Sequence, residues 1–136
     1  MLLYRAFHAQ KNKLAPHLPA IGLSSGQPKI LNHLLHHDAC IQRDLAQNCD
    51  IEPATVSRIL YNMERAGLIA RSVSPQCRRE TRISITDLGK TVCAQWEEIC
   101  AGVEAVSLEG FTEGEKALFC GFLARMYHNL TGRSID

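Results

Sequence analysis

No stretch of the 136-residue chain approaches the ~20 consecutive apolar residues of a membrane-spanning helix, which argues against a helical membrane protein. The N-terminus, Met1-Leu2-Leu3-Tyr4-Arg5, lacks the basic stretch and long apolar core of a secretory signal, so the expected compartment is the cytoplasm, with no membrane partner. No pair among the six cysteines, Cys40, Cys49, Cys77, Cys93, Cys100 and Cys120, stands as C-x-x-C. Zinc ribbons and thioredoxin-like motifs are therefore unsupported. A disulfide framework is disfavoured too, because a chain of this length forms its own core without a staple. There is no phosphate-binding glycine loop, no G-x-S-x-G elbow and no H-E-x-x-H pair. The expectation is a protein that is not an enzyme and takes no cofactor and no metal. Internal repeats, low-complexity tracts and long linkers are also lacking.

What is present is ordinary for a globular domain: 46% hydrophobic and 21% charged residues. The net charge of +1 conceals an asymmetry. Residues 53–90 carry a net +4, from Arg58, Arg65, Arg71, Arg78, Arg79, Arg82 and Lys90 against Glu64, Glu80 and Asp87, whereas residues 91–136 carry a net −4. Six of the seven central cations are arginine, whose planar fork suits phosphates and grooves better than lysine does. A solvated charged face gives the same count, so this signal alone points only modestly to nucleic acid.

The periodicity predicts six helices and a hairpin. The first helix, about residues 2–17, spaces Leu2, Leu3, Ala6, Phe7 and Leu14 helically, and Pro16 and Pro19 end or kink it. Ser24 with Gln27 reads as a capping box for a second helix with the apolar face Ile30, Leu31, Leu34 and Leu35. A short third helix covers about residues 42–47. Pro53 then suits the first position of a fourth helix ending at Ala66, with Gly67 as its C′ residue. That helix has an apolar back, Val56, Ile59, Leu60 and Met63, and a front of Thr55, Arg58, Asn62 and Arg65. Any amphipathic surface helix shows this pattern, and so does one that reads a DNA groove.

Residues 68–73 and 81–85 read as two strands around a polar loop with a basic tip, Ile83 and Ile85 facing inward. Thr86 can cap the next helix, about residues 87–106, which carries Val92, Trp96, Ile99 and Val103. Thr112 with Glu115 is a second capping box, for a last helix to about residue 130 that buries Leu118, Phe119, Phe122, Leu123, Met126, Tyr127 and Leu130. Two short helices joined by a tight turn and followed by a basic hairpin make a winged helix-turn-helix. The fourth helix fits the major groove, and an arginine at the hairpin tip can enter the minor groove.

At this point the sequence resembles the MarR family of bacterial transcription regulators. The resemblance covers residues 22–90, about half the chain, and rests on Leu45-Ala46, Thr55-Val56-Ser57-Arg58, Glu64-Arg65-Ala66-Gly67-Leu68, Arg79 and Ile85-Thr86-Asp87-Leu88-Gly89. It implies a fold that is mainly α with a small β-hairpin wing: one domain over residues 1–136, with a DNA-binding lobe at about 24–90 and dimerisation helices at about 1–20 and 91–136. It implies a homodimer on a pseudo-palindromic double-stranded DNA site, its reading helices roughly 34–36 Å apart. Leu2, Leu3, Phe7, Leu118, Phe122, Met126 and Leu130 would make the dimer contacts. Pro53, Ala54, Thr55, Ser57, Arg58 and Asn62 would face bases and phosphates, Gln42 and Arg43 the backbone, and Arg78 or Arg79 the minor groove. The function implied is repression released by a small-molecule effector, with Tyr4, His8, Lys11, Asn12, His17 and Trp96 as loose candidates for its pocket.

Two positions depart from the family pattern. Cys77 stands where the wing usually has an Asp two residues before its key arginine, which leaves Glu80 as the alternative partner, and Ile41 replaces a capping Thr or Ser. Beside two arginines, Cys77 is a candidate redox thiol, with an incidental surface cysteine as the blander reading. The other five cysteines read as core residues. His33, His36, His37, Asp38 and Cys40 are candidate metal ligands, against a solvated helix end. A winged-helix module for protein contact without DNA is the rival from another class.

Overall fold

The computed structural model describes residues 1–37, 39–73 and 80–135. Its elements run α1 (Leu2–Leu14), α2 (His17–Ala20), α3 (Gln27–His36), β1 (Cys40–Ile41), α4 (Gln42–Asn48), α5 (Pro53–Arg65), β2 (Ile69–Val73), β3 (Thr81–Ile85), α6 (Asp87–Ser107) and α7 (Glu113–Thr131). The fold class is the expected one, mainly helical with a small antiparallel sheet. The chain divides into two compact units, Met1–Ala101 and the residues from Gly102 onward.

The core lies wholly in the first unit. Ile30, Leu31 and Leu34 of α3, Leu45 of α4, Val56, Leu60 and Met63 of α5, Ile83 of β3 and Cys93 of α6 are buried together. The three-and-four spacing within α5 puts Val56, Ile59, Leu60 and Met63 on one side, and all four are buried. Leu35, predicted for the apolar face of α3, is 37% exposed, because it lies outside the stripe of Ile30, Leu31 and Leu34.

The start of α3 corrects the expected capping box. The residue before the helix is Gly26, and no side chain caps it. The Ser24 hydroxyl is not used; instead the Ser24 backbone N–H donates to Gln27 Oε1 at 3.0 Å. Among the described residues Gln27 is the one polar side chain in the buried set. Gln27→Ala therefore strands a backbone donor and is expected to cost about 1–2 kcal/mol, whereas Ser24→Ala leaves stability nearly unchanged. Urea titration of the two variants checks the pair; equal losses would restore the full capping box.

The sheet has three strands in the order β1-β3-β2, all antiparallel. Cys40 pairs with Ile83 and Ile41 with Arg82, while Ile69 pairs with Ile85 and Val73 with Thr81. The sequence reading had only the second pairing. Ile41 also precedes α4 without offering it a side-chain cap, as its chemistry requires.

α5 ends in a Schellman motif. Gly67 adopts φ +74°, the Gly67 N–H donates to Glu64 O and the Leu68 N–H to Met63 O, both at 3.0 Å. The Thr86 hydroxyl donates to Gly67 O at 2.6 Å and accepts from the Gly89 N–H at 3.1 Å, so the predicted cap of α6 also holds the corner after α5.

In the second unit, Thr112 and Glu115 form the predicted capping box, with Thr112 N–H to Glu115 Oε2 at 2.8 Å and Glu115 N–H to Thr112 Oγ1 at 3.2 Å. The Thr112 N–H, and then the Thr112 hydroxyl donating to the same carboxylate oxygen at 2.9 Å, hold the Glu115 carboxyl below the ordinary glutamate range. The side chains of α7 are not buried as the sequence reading expected. Leu118 is 60% exposed, and Phe119, Phe122, Leu123, Met126 and Leu130 are exposed too, with Tyr127 half-buried. Neither α1 nor α7 has a buried residue. Among the described residues no helix is long and apolar enough to cross a membrane.

Candidate nucleic-acid interface

α5 presents its front to solvent because its back is committed to the core. Pro53, Ala54, Ser57, Arg58 and Asn62 are exposed, and Thr55 is half-buried at the edge of the stripe. Tyr61, which the sequence reading passed over, is 55% exposed and shares this front. Its spacing after Ala54 and Arg58 was the signal that could have found it.

α4 is tied to this front. Gln42 Nε2 donates to Ser57 Oγ, and Ser57 Oγ donates to Pro53 O at 3.4 Å. Gln42 and Ser57 thus hold one another across the turn between α4 and α5. The Arg43 side chain is 85% exposed, with Asp44 at 4.0 Å. Beside them opens a cleft of about 460 Å³ lined by Gln42, Arg43, Ala46, Gln47, Ile51 and Pro53.

The central arginines divide by their partners. Arg71 Nε donates to Glu64 Oε2 at 2.9 Å, which joins β2 to the last turn of α5. Arg82 donates to Ala39 O at 3.3 Å and lies 3.6 Å from Glu80. Two of the six central arginines thus serve the lobe itself, and Lys90 stands 3.8 Å from Asp87 on α6. Glu80 meets Arg82, a partner the sequence reading did not consider for it. Arg58 and Arg65 face no carboxylate within ion-pair distance among the described residues. Arg78, Arg79 and Cys77 lie outside the described residues.

The other candidates are dispersed. Leu2, Leu3 and Phe7 on α1, and Leu118, Phe122, Met126 and Leu130 on α7, are all exposed. Tyr4 and His8 bring their rings to 4.3 Å, Lys11 and Asn12 are exposed on the same helix, His17 opens α2, and Trp96 packs against the core from α6. His33 and His37 stack at 4.3 Å, His36 is exposed, and Asp38 lies outside the described residues. Burial, and then the nearby His37, hold the His33 imidazole below the ordinary histidine range against the pull of Asp44. Among the described residues no group of three or more His, Cys, Asp or Glu is placed to hold a metal ion.

The expectation that five cysteines are core residues holds for two. Cys49 and Cys93 are buried, Cys40 and Cys100 half-buried, and Cys120 exposed. Burial pushes the Cys49 thiol up to about 11 and raises Cys93 as well, which suppresses their thiolates.

A short helix, a turn, a second helix with a polar cationic front and a twisted antiparallel arm define a winged helix-turn-helix. The profile of the MarR family matches residues 23–81. The solved structure of the transcriptional regulator PA3341 is 34% identical, covers 97% of each chain and superposes with a TM-score of 0.83. The chain belongs to the MarR family. The HTH-type transcriptional regulator YdgJ of Bacillus subtilis is 28% identical over 109 residues, 80% of this chain. This chain spans 66% of YdgJ, just under two thirds of its length. A MepR mutant from S. aureus, solved bound to an oligodeoxyribonucleotide, is 27% identical, covers 96% of each chain and has a TM-score of 0.67.

Proposed function

We propose that this chain is a sequence-specific DNA-binding transcription regulator that acts in the cytoplasm as a homodimer on a pseudo-palindromic operator. It is a repressor, released when a small-molecule effector changes the spacing of its two reading helices. The observation that carries the reading is α5: an apolar back locked into the core, and a front of Ala54, Ser57, Arg58, Tyr61 and Asn62 open to solvent. The groove requires that division of faces, since donors and cations must reach base edges while the helix stays anchored. The oligonucleotide-bound MepR relative supports DNA as the partner. The exposed apolar side chains of α1 and α7 support the dimer, because each buried residue of the core lies elsewhere. In this reading residues 24–90 bind DNA, and residues 1–20 and 91–136 join the two copies. Arg78 or Arg79 enters the minor groove, and Gln42 and Arg43 meet the backbone.

The test is selection of duplexes from a random-sequence pool, followed by titration from low to high salt. Affinity should fall linearly on logarithmic axes as phosphate contacts release counterions. Arg58→Ala is expected to cost about 1–3 kcal/mol on the selected site, roughly 5- to 150-fold, and to relax its sequence preference. Absence of duplex binding at any salt would overturn the reading in favour of a protein-contact module.

A further inference from the structure

We propose that Tyr61 and Arg65 form a preassembled phosphate clamp at the far end of α5, which fixes how deeply the helix lies on DNA without reading a base. The inference rests on the DNA-binding reading above and adds a contact that reading does not contain.

Ala54, Arg58, Tyr61 and Arg65 follow at intervals of four, three and four residues, so they form a single stripe. Val56, Ile59, Leu60 and Met63 occupy the opposite side and are buried. The stripe is therefore the middle of the solvent-facing front, and its last two members are an aromatic phenol and a guanidinium. They already touch. Arg65 Nη1 donates to the Tyr61 hydroxyl at 3.3 Å, and the Arg65 Cζ stands 5.6 Å from the centre of the Tyr61 ring. The phenol oxygen takes one donor, and the ring attracts the cation through its electron-rich face. A guanidinium has five donors in a flat fork, so most stay available to a phosphate. The carboxylate that precedes Arg65 in the chain, Glu64, is taken by Arg71.

Distance along the helix decides what the pair meets. Eleven residues separate Ala54 from Arg65, about 16 Å at about 1.5 Å per residue. The major groove is about 12 Å wide. A helix entering the groove by its N-terminal end therefore has its last turn at the phosphate wall, beyond the base edges. An arginine there, held in place before binding, gives up little side-chain freedom when it meets phosphate. The pair sets position; Arg58, nearer the N-terminus, reads sequence.

The experiment compares the full-length wild type with Arg65→Ala, Arg65→Gln, Tyr61→Phe and Arg58→Ala on duplexes selected by the wild type and on a random-sequence duplex. Arg65→Ala and Arg65→Gln should each lower the slope of log affinity against log salt by about 0.9 per protomer, and weaken both duplexes by the same factor. Tyr61→Phe should weaken binding a few-fold and leave that slope unchanged, since the cation remains. Arg58→Ala should instead narrow the gap between the two duplexes. Wild-type binding with an unchanged slope in both Arg65 variants would overturn the clamp and leave the DNA-binding reading standing. A wild type that binds neither duplex would overturn both. Melting of each variant alone separates these outcomes from a folding defect: a merely structural arginine would lower the transition temperature and not move the salt slope.

Discussion

Gly89→Ala is expected to lose about 3 kcal/mol or more of folding stability, a substantial share of what a domain of this size has. Gly89 is buried in the first turn of α6. A Cβ added there would fall onto the Leu68 carbonyl oxygen and come within 2.8 Å of Ile85 Cγ1. The first obstacle is backbone, and it cannot rotate aside. Leu68 is pinned by its own N–H to Met63 O, and its carbonyl accepts the Thr86 N–H at 3.1 Å. Relief would need α6 to lift off the corner between α5 and β2. Gly102→Ala, in the same helix, supplies the control. A Cβ there meets nothing within 4 Å, so the substitution should stabilise the helix by about 0.5–1 kcal/mol through reduced backbone entropy. Thermal or urea unfolding of the two variants should give shifts of opposite sign. A Gly89→Ala variant as stable as the wild type would mean that α6 does not approach Leu68 this closely.

The second large effect concerns assembly. Leu118→Glu combined with Phe122→Glu is expected to convert the proposed dimer into single chains and to lower affinity for a two-half-site duplex by roughly 10²–10⁴-fold. The reason is arithmetic: once the copies separate, the second half-site loses the high effective concentration that the first binding event supplied. Both side chains are more than half exposed in the isolated chain, at 60% and 54%. The charges therefore enter no interior of the single chain, and the core of residues 23–93 should still fold, though without the added stability that pairing gives. Sedimentation and DNA titration of the variant against the wild type check this. A wild type that sediments as one chain would remove the dimer from the reading, and a double variant that stays paired would remove Leu118 and Phe122 from its seam.

The legibility of this fold follows from the length over which each signal is repeated. The back of α5 was readable because Val56, Ile59, Leu60 and Met63 repeat helical spacing over two turns and end at a glycine suited to φ +74°. β1 was not, because two residues contain no period; Cys40 and Ile41 become a strand only because β3 has a free edge beside them. The apolar face of α7 was recognised and its burial misjudged. A stripe of Leu118, Phe122 and Met126 shows that something apolar belongs against it, and says nothing about whether that surface comes from the same chain. Ser24 and Gln27 fit a capping box by spacing, yet only the glutamine half forms. The charge count marked residues 53–90 as basic and could not tell Arg71, paired with Glu64, from Arg58, which faces solvent. Tyr61 carries no such mark for a related reason: neither charge nor amide chemistry singles out an aromatic that holds an arginine.

The corner between α5 and β2 has a mechanical consequence. Four ties meet there: the Schellman bonds of Gly67 and Leu68, the Thr86 hydroxyl on Gly67 O, the Glu64–Arg71 pair, and the backbone of Leu68 against Gly89. A joint fastened at four points resists independent movement of its parts. A tilt imposed on the first turn of α6 is therefore passed to the end of α5 and to the start of β2. The end of α5 and the first residues of β2 then turn together, like two prongs set in one handle.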